Sequence, residues 1–221
     1  MSSSAIPDLE FFPAPADIYV PAGIAGPEAF TVKVQAFIVR RGEEVGLVDT
    51  LMQPDNIGLI EEALSKASAG FSDLRYVVIT HHHPDHSGNL AEIARRAPQA
   101  RIVSGGHDAE TIHRATGVAL EPVENGDTLL GLEVIETPGH TPGHISLFDA
   151  ASSTMFLGDL AENSGQLLPP PARFTEDPAQ YQRTLRSVAE LNFDNALPSH
   201  GDPLMQHASA MLLQLAKELH T

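Results

Sequence analysis

The segment Thr80-His81-His82-His83-Pro84-Asp85-His86 constrains this chain more than any other feature, because it packs several metal-binding side chains into one short loop. It follows the apolar run 76–79, which predicts a buried strand. Neutral imidazole and carboxylate are the groups that hold zinc and similar divalent ions in proteins. In an extended segment, positions i and i+2 point to the same side, so His81 and His83 can bind one ion while His82 points away.

The second half of this loop predicts a second group of ligands. Pro84 disfavours a helical conformation at the residue before it and suits a turn or a helix start, so Asp85 and His86 can face a second ion. Loops at strand ends are where a rigid sheet can present converging side chains. Three further candidate ligands follow predicted strands in this way: His140, Asp159 and His200.

Length and charge limit the possible partners. With 221 residues, of which 42% are hydrophobic, the chain is expected to form one domain with a sizeable core. The absence of cysteine removes thiolate ligands, thiol nucleophiles and disulfides. Phosphate backbones are bound by clustered basic residues, so 13 scattered Lys and Arg and a net charge of -16 disfavour nucleic acid and anionic membranes as partners. We expect a small-molecule substrate and leave the oligomeric state open.

The N-terminal sequence predicts no export signal and no membrane span. Residues 1–8 contain neither a basic region nor an apolar stretch, and no apolar run approaches the ~20 residues that cross a bilayer. A cytoplasmic location is therefore the expectation.

Strand and helix patterns alternate along the chain, which predicts an α/β protein with helices outside the sheets. Residues 1–29 are rich in Pro, Ala and Gly and are predicted as an irregular lead-in or a loop over a cleft. Strands are predicted over 31–39, 44–49, 75–80, 101–104, 128–130, 132–137, 145–148, 154–157 and 196–198. Helices are predicted over 54–69, 87–97, 107–115, 178–191 and 204–219.

The order His-x-His-x-Asp-His, then Gly-His, then Gly-Asp, then a late His before Gly resembles the motif set of the metallo-β-lactamase superfamily, over about residues 30–202. The resemblance implies a four-layer αββα sandwich, here a single domain over residues 1–221. It also implies a dinuclear site, most often of zinc, although iron, manganese or cobalt can use the same ligands. The implied ligands are His81, His83 and His140 for the first metal, Asp85, His86 and His200 for the second, and Asp159 as the bridge.

The same resemblance implies hydrolysis by a hydroxide that bridges two metal ions, so neither serine nor cysteine is needed as a nucleophile. Asp85 is the expected catalytic residue, orienting that hydroxide or passing a proton to the leaving group. Asp49 is expected to hydrogen-bond to the metal loop from behind rather than to bind metal.

The substrate is less constrained, and small carbonyl esters are predicted, with lactones slightly ahead of thioesters. Asp159 and the lack of cysteine disfavour a true β-lactamase and leave only weak promiscuous activity. Glyoxalase-II-like thioesterases share the stretch 137–144 but hold glutathione on a C-terminal extension, whereas about 20 residues follow His200 here. Quorum-quenching lactonases carry a tyrosine where this chain has Glu162. An iron-dependent persulfide dioxygenase and a non-catalytic scaffold stay open as other classes.

Two further questions concern residues near these motifs. His144 competes with His140 as a ligand, and the resemblance favours His140, which leaves His144 behind or beside the site. The loops 9–30 and 163–175 can line an apolar substrate pocket or can pack ordinarily. The remaining histidines are expected to bind no metal: His82, His107, His113, His207 and His220.

Overall fold

Two mixed β-sheets lie face to face in the computed structural model, which describes residues 8–24, 26–52 and 54–219. The first sheet has six strands in chain order: β1 (Leu9–Val20), β2 (Phe30–Arg41), β3 (Glu44–Val48), β4 (Leu74–Ile79), β5 (Arg101–Gly105) and β6 (Glu121–Val123). The second sheet contains β7 (Thr128–Leu129), β8 (Leu132–Glu136), β9 (Ile145–Asp149), β10 (Thr154–Gly158) and β13 (Asn195–Pro198). A separate pair is formed by β11 (Glu162–Asn163) and β12 (Leu167–Leu168).

Each sheet combines antiparallel and parallel pairing. In the first sheet, β1, β2 and β3 are antiparallel, whereas β3 to β6 run parallel to one another. In the second sheet, β7 to β10 form antiparallel hairpins and β13 lies parallel to β10. Within the described residues, six α-helices accompany the sheets: α1 (Ile57–Lys66), α2 (Pro84–Ser87), α3 (Leu90–Arg96), α4 (Gly106–Thr116), α5 (Pro178–Ala189) and α6 (Ala208–Glu218).

Three layers of apolar side chains separate four layers of secondary structure. Successive side chains of a strand point to opposite faces, and in β2 Ile38 joins the core under α1, α3 and α4 while Phe37 joins the core between the sheets. In β10, Phe156 faces the same central core and Met155 faces the core under α5 and α6. This confirms the predicted αββα sandwich.

The aromatic side chains of the central core hold the two sheets together. The ring of Phe156 from the second sheet packs edge-on against that of Phe37 from the first, with centroids 5.6 Å apart at 81°. Phe11 of β1 meets the same ring at 6.5 Å. Edge-to-face contacts of this kind contribute about 0.5–1.5 kcal/mol of stability beyond the contribution from burying the rings.

The prediction of an irregular lead-in over residues 1–29 is wrong for 9–20, which form the edge strand β1, paired with β2 from Leu9↔Arg41 to Val20↔Phe30. Two prolines within that stretch argued against a strand. An edge strand tolerates proline, because the N–H groups on its outer side need no partner. Residues 1–7 and 25 lie outside the described part of the chain.

The other predicted elements are found within a few residues of their expected bounds, with two exceptions. The helix predicted over 87–97 is α3, which begins three residues later, at Leu90, after the separate short helix α2, and the terminal helix begins at Ala208 instead of residue 204. The short strands β6, β11 and β12 have no sequence signal. Among the described residues, no helix has both the length and the apolar character needed to cross a bilayer.

Candidate metal centre

The seven predicted ligands come from both sheets. The loop after β4 carries His81 and His83, and the first turn of α2 carries Asp85 and His86. The other three are carried by loops of the second sheet: His140 between β8 and β9, Asp159 directly after β10, and His200 two residues after the end of β13. The backbone N–H of Ile145 at the start of β9 donates to the carbonyl of Thr80 over 2.9 Å, which ties the two sheets together beside the site.

The first cluster brings three imidazole nitrogens to one point. Nδ1 of His83 lies 3.1 Å from Nε2 of His81 and 3.0 Å from Nε2 of His140. Zn–N bonds of about 2.0 Å in a tetrahedron would place such nitrogens roughly 3.3 Å apart, close to these separations. Asp159 belongs to the same cluster, with Oδ2 3.4 Å from Nε2 of His140.

The second cluster joins Asp85, His86 and His200. Oδ2 of Asp85 lies 3.2 Å from Nε2 of His200 and 3.4 Å from Nε2 of His86. Asp159 faces this cluster too, because its Oδ2 is 3.2 Å from Nε2 of His200 and its Oδ1 is 3.5 Å from Nε2 of His86. The carboxylate of Asp159 therefore lies between the two clusters, where a bridging ligand would lie.

Asp49 braces the loop from behind, as the resemblance implied. This buried carboxylate accepts hydrogen bonds from the backbone N–H and the hydroxyl of Thr80, both at 2.9 Å, and from the hydroxyl of Ser199 at 3.1 Å. Its Oδ2 also lies 2.9 Å from Nδ1 of His86. A protonated Nδ1 that donates to this carboxylate leaves Nε2 of His86 with its lone pair facing the site, the usual arrangement behind a metal-binding histidine.

His144 has both ring nitrogens engaged elsewhere. Its Nε2 accepts the backbone N–H of Asp159 at 2.9 Å, so Nδ1 carries the proton and faces the hydroxyl of Thr137 at 2.7 Å. Gly158 has φ of 58°, and a Cβ there would collide with the His144 ring. His144 thus orients Asp159, and it belongs to neither cluster.

The protonation of the histidines differs between the two clusters. Burial holds the pKa of His81 well below its ordinary value and lowers the pKa of His83 to about 4. In the second cluster burial opposes charge, but Asp159 and Asp85 outweigh it and raise the pKa of His200 to about 10. His81 and His83 of the first cluster are therefore neutral imidazoles, whereas His200 of the second is a charged imidazole paired with carboxylates.

The donor set fits metal ions. Within the described part of the chain, Nε2 of His86 and Oδ1 of Asp159 are buried without a hydrogen-bond partner. Leaving a buried polar atom unpaired costs about 1–3 kcal/mol, and native structures rarely do so without a reason. Both atoms face the centre of the site, so a bound cation would satisfy each of them.

Sequence reasoning missed one buried carboxylate beside the site, Asp108 of α4. It accepts hydrogen bonds from the backbone of His82 and from Thr141, and it lies 3.2 Å from Nδ1 of His82, whose Nε2 is 3.3 Å from Glu176. A lone acid near a helix start carries no signal for such a position. His82 points away from the clusters as predicted, and His107, His113 and His207 belong to neither, while His220 lies outside the described residues.

The two segments considered as pocket walls, 9–30 and 163–175, have mixed roles. Phe11 packs against the central core, and Leu167 belongs to the core under α5 and α6, as in ordinary packing. Phe174, however, is 37% exposed and its ring lies 6.2 Å from that of His83. Arg173 donates to the carbonyl of Ile24 at 3.1 Å, which joins the two segments beside the first cluster.

Relatives of known name match this chain over parts of their length. The hydroxyacylglutathione hydrolase of Rhodospirillum rubrum is 37% identical over 110 residues, covering 48% of this chain and 41% of that protein. The hydroxyacylglutathione hydrolase of Pseudomonas savastanoi pv. phaseolicola is 40% identical over 121 residues, covering 52% and 42%. The atrochrysone carboxyl ACP thioesterase of Aspergillus fumigatus is 25% identical over 201 residues, covering 88% and 44%. The chain spans less than half the length of these three relatives.

Solved structures share the fold at low sequence identity. The metallo-beta-lactamase FIM-1 from Pseudomonas aeruginosa, in its mono-zinc form, superposes with a TM-score of 0.70 at 21% identity, covering 97% of this chain and 96% of that one. VMB-1 superposes with a TM-score of 0.74 at 14% identity, covering 97% and 99%. A di-iron-bound form of TTHA1623 reaches 0.62 at 23% identity, covering 91% and 96%.

The family profile described as the Metallo-beta-lactamase superfamily matches residues 30–200, which contain all seven candidate ligands. The match covers most of the chain and agrees with the two-sheet fold and with the two clusters that share Asp159. The chain therefore belongs to the metallo-beta-lactamase superfamily of hydrolases.

Proposed function

We propose that this protein is a dinuclear metal-dependent hydrolase of small carbonyl substrates, with acyl thioesters preferred. One observation carries the proposal: seven side chains with metal-ligand chemistry form two adjacent clusters, and the carboxylate of Asp159 faces both. Zinc and iron are both candidates, because solved structures of the same fold include a mono-zinc form and a di-iron form.

The metal pair, when bound, supplies an activated water and a Lewis acid for the substrate carbonyl. His81, His83 and His140 would hold one ion, and Asp85, His86 and His200 would hold the other. The protein must also keep these imidazoles oriented. It does so through Asp49 behind His86 and through the hydroxyl of Thr80, which lies 3.1 Å from Nδ1 of His81.

Asp85 is the proposed proton carrier. Its side chain is 25% exposed, against 0% for His86 and 9% for His200, so it is the member of the second cluster most open to solvent and substrate. Burial opposes its ionisation, but His86 and His200 together hold the pKa of Asp85 well below its ordinary range. The carboxylate is therefore ionised, and this is the form that can orient the attacking water and take part in proton transfer to the leaving group.

Thioesters are placed ahead of lactones for two reasons. The named relatives include hydroxyacylglutathione hydrolases and an ACP thioesterase, and the thioesterase match spans 88% of this chain. Glu162 also stands where the similar lactonases carry a tyrosine. A thiolate leaves without help from an acid, whereas the alkoxide from an opened lactone needs a proton donor. The absence of a tyrosine hydroxyl therefore slows thioester hydrolysis less than lactone hydrolysis. The preference for lactones expected from the sequence is thereby reversed.

Lactones are the second candidate, because the similar lactonases share the complete set of seven metal-ligating side chains found here. The two reactions share their carbonyl chemistry and differ in the leaving group. A cytoplasmic location, a small-molecule substrate and the absence of nucleic-acid and membrane partners stay predictions that follow from the charge and the N-terminal sequence.

The test is hydrolysis by zinc- and iron-loaded protein of simple acyl thioesters, acyl glutathione, lactones and a β-lactam. Released thiol is measured with a thiol-reactive dye, which meets no protein background because the chain has no cysteine. Acid release is followed for the other substrates. Turnover of thioesters that is lost in His140→Ala and kept in His113→Ala supports the proposal, since the His113 ring belongs to neither cluster and bonds the Val118 carbonyl through Nδ1. Two bound metals with no turnover of any substrate would overturn it, and oxygen uptake with persulfide would indicate redox chemistry instead.

A further inference from the structure

Asp108 is a buried carboxylate to which the proposed chemistry assigns no role. It lies in the first turn of α4, an 11-residue helix, and is 1% exposed. Burial alone would raise the pKa of Asp108, but hydrogen bonds from His82 and Thr141 outweigh it and lower the pKa below its ordinary value. An ionised carboxylate held inside the protein needs several donors, and every donor found here belongs to a metal-binding loop.

Three hydrogen bonds connect Asp108 to the loops of the first cluster. Oδ2 accepts the backbone N–H of His82 at 3.0 Å and the hydroxyl of Thr141 at 2.6 Å. Oδ1 accepts the backbone N–H of Gly143 at 2.8 Å. His82 lies between the candidate ligands His81 and His83, and Thr141 directly follows His140.

The approach of these loops to α4 is close enough to require glycine. A Cβ on Gly143 would collide with the backbone nitrogen of Asp108, and a Cβ on Gly105 would collide with the carbonyl of Gly143. The helix start and the loop carrying His140 are thus in backbone contact. A change at the carboxylate would be transmitted directly to that loop, because no flexible side chain lies between them.

We propose that Asp108 is a positioning residue for the first metal site, fixing the loop of His81 and His83 against the loop of His140. This inference rests on the metal sites of the proposed function and is independent of the substrate. Asp108 bonds residues next to ligands of the first cluster, since His82 lies between His81 and His83 and Thr141 follows His140. Asp49 instead contacts Nδ1 of His86 in the second cluster directly, and it reaches the first cluster only through Thr80.

The test replaces Asp108 by asparagine and measures zinc affinity one site at a time. In a His200→Ala background, zinc titration measures the affinity of the first site. In a His140→Ala background, it measures the affinity of the second. Both oxygens of Asp108 accept backbone N–H groups, so whichever position becomes the amide NH2 opposes one of those donors. We expect Asp108→Asn to weaken first-site zinc binding by roughly 10–100-fold, as the loss of such supporting partners does, and to leave the second site unchanged.

Two further variants distinguish a positioning role of Asp108 from a general loss of folding. Thr141→Val removes one donor without leaving the buried carboxylate unsatisfied and should weaken the first site less. Asp149→Asn removes another buried carboxylate, 2% exposed and paired with Arg41 at the far end of β9, and should change the affinity of neither site. Thermal unfolding of each metal-free variant shows whether it is folded, and Thr141→Val decides the question if Asp108→Asn is not.

A loss of zinc affinity at the first site alone supports the inference. An equal loss of affinity at both sites, or unchanged affinity at both, would overturn it while leaving the proposed function intact. If the single-site backgrounds bind no zinc even with Asp108 in place, the metal sites themselves are wrong and both proposals fall.

Discussion

At the residue scale, the site is organised by how each histidine uses its two ring nitrogens. His86 gives Nδ1 to Asp49 and His81 gives Nδ1 to Thr80, which leaves Nε2 of each facing the site. His144 uses Nε2 for the backbone of Asp159 and has none left. Whether a histidine can bind metal is therefore decided by its hydrogen bonds, which sequence spacing does not contain.

We predict that His140→Ala and His144→Ala have different effects although the residues are four positions apart. His140→Ala should reduce bound zinc from two ions to one per chain. His144→Ala should keep two ions and lower kcat by roughly 10–100-fold, because Asp159 loses the hydrogen bond that orients it. Metal analysis and steady-state kinetics check this. Loss of an ion in His144→Ala would show that His144 is a ligand.

The two sites should also differ in pH dependence. Metal must displace any proton on its ligand. Burial holds the pKa of His81 well below its ordinary value and lowers that of His83 to about 4, so neither must lose a proton to bind metal, and first-site affinity should change little between pH 6 and 8.5 compared with the second site. His200, with a pKa of about 10, is protonated throughout that range, so second-site affinity should rise with pH. Zinc titration of the two single-site backgrounds measures both slopes, and equal slopes would contradict the prediction.

All seven candidate ligands could be identified from sequence because they follow a family motif, and their grouping agrees with the two observed clusters. Asp108 could not be identified, since its importance comes from contacts with His82, Thr141 and Gly143 that lie 26 to 35 positions away. Long-range hydrogen bonds to backbone groups leave no pattern in the residue types.

At the element scale, whether a strand could be predicted from the sequence depends on whether it lies in the centre or at the edge of its sheet. β2 and β4 are buried runs of β-branched and aromatic residues and were predicted, whereas β1 contains Pro13 and Pro15 and was not. N–H groups of alternate residues point to the same side of a strand, so both prolines remove donors from one edge. Because pairing with β2 is unbroken at both, that edge is the outer one. The two prolines that argued against a strand protect the exposed edge of β1 from pairing with another chain.

We predict that Pro13→Thr with Pro15→Thr promotes self-association. The double variant restores two N–H groups on the free edge of β1, which then can pair with a second chain. Light scattering coupled to size-exclusion chromatography should show a larger, concentration-dependent mass than for the unsubstituted protein, with metal content unchanged. Substitution of the exposed Asp17 by threonine is the matched control, since it leaves the backbone N–H groups of β1 unchanged. An unaltered mass in the double variant would contradict the edge argument.

At the scale of the whole molecule, the metal centre joins the two sheets. His81 to His86 belong to the first sheet's loop, whereas His140, Asp159 and His200 follow strands of the second. Sequence periodicity indicates which residues are buried but does not show which sheet faces which. The four-layer arrangement therefore came from resemblance, and the three apolar cores show its physical basis.

Because the ligands span both sheets, metal should stabilise the whole fold. At a free zinc concentration of 100 times Kd, binding one site adds about 2.7 kcal/mol to the free energy of unfolding. For a chain of this size, each kcal/mol raises Tm by about 2–4 °C. Calorimetry should show a higher Tm for zinc-loaded protein than for chelated protein, and a smaller increase for His200→Ala. An equal Tm with and without metal would contradict the bridging role.

The two clusters should bind two metal ions side by side, with Asp159 between them. Anomalous diffraction from zinc-loaded crystals, measured on both sides of the zinc absorption edge, would locate the ions. We expect two peaks, one among His81, His83 and His140 and one among Asp85, His86 and His200, with Asp159 in contact with both. A single peak in zinc-saturated crystals, or peaks away from these residues, would show that the dinuclear site is wrong.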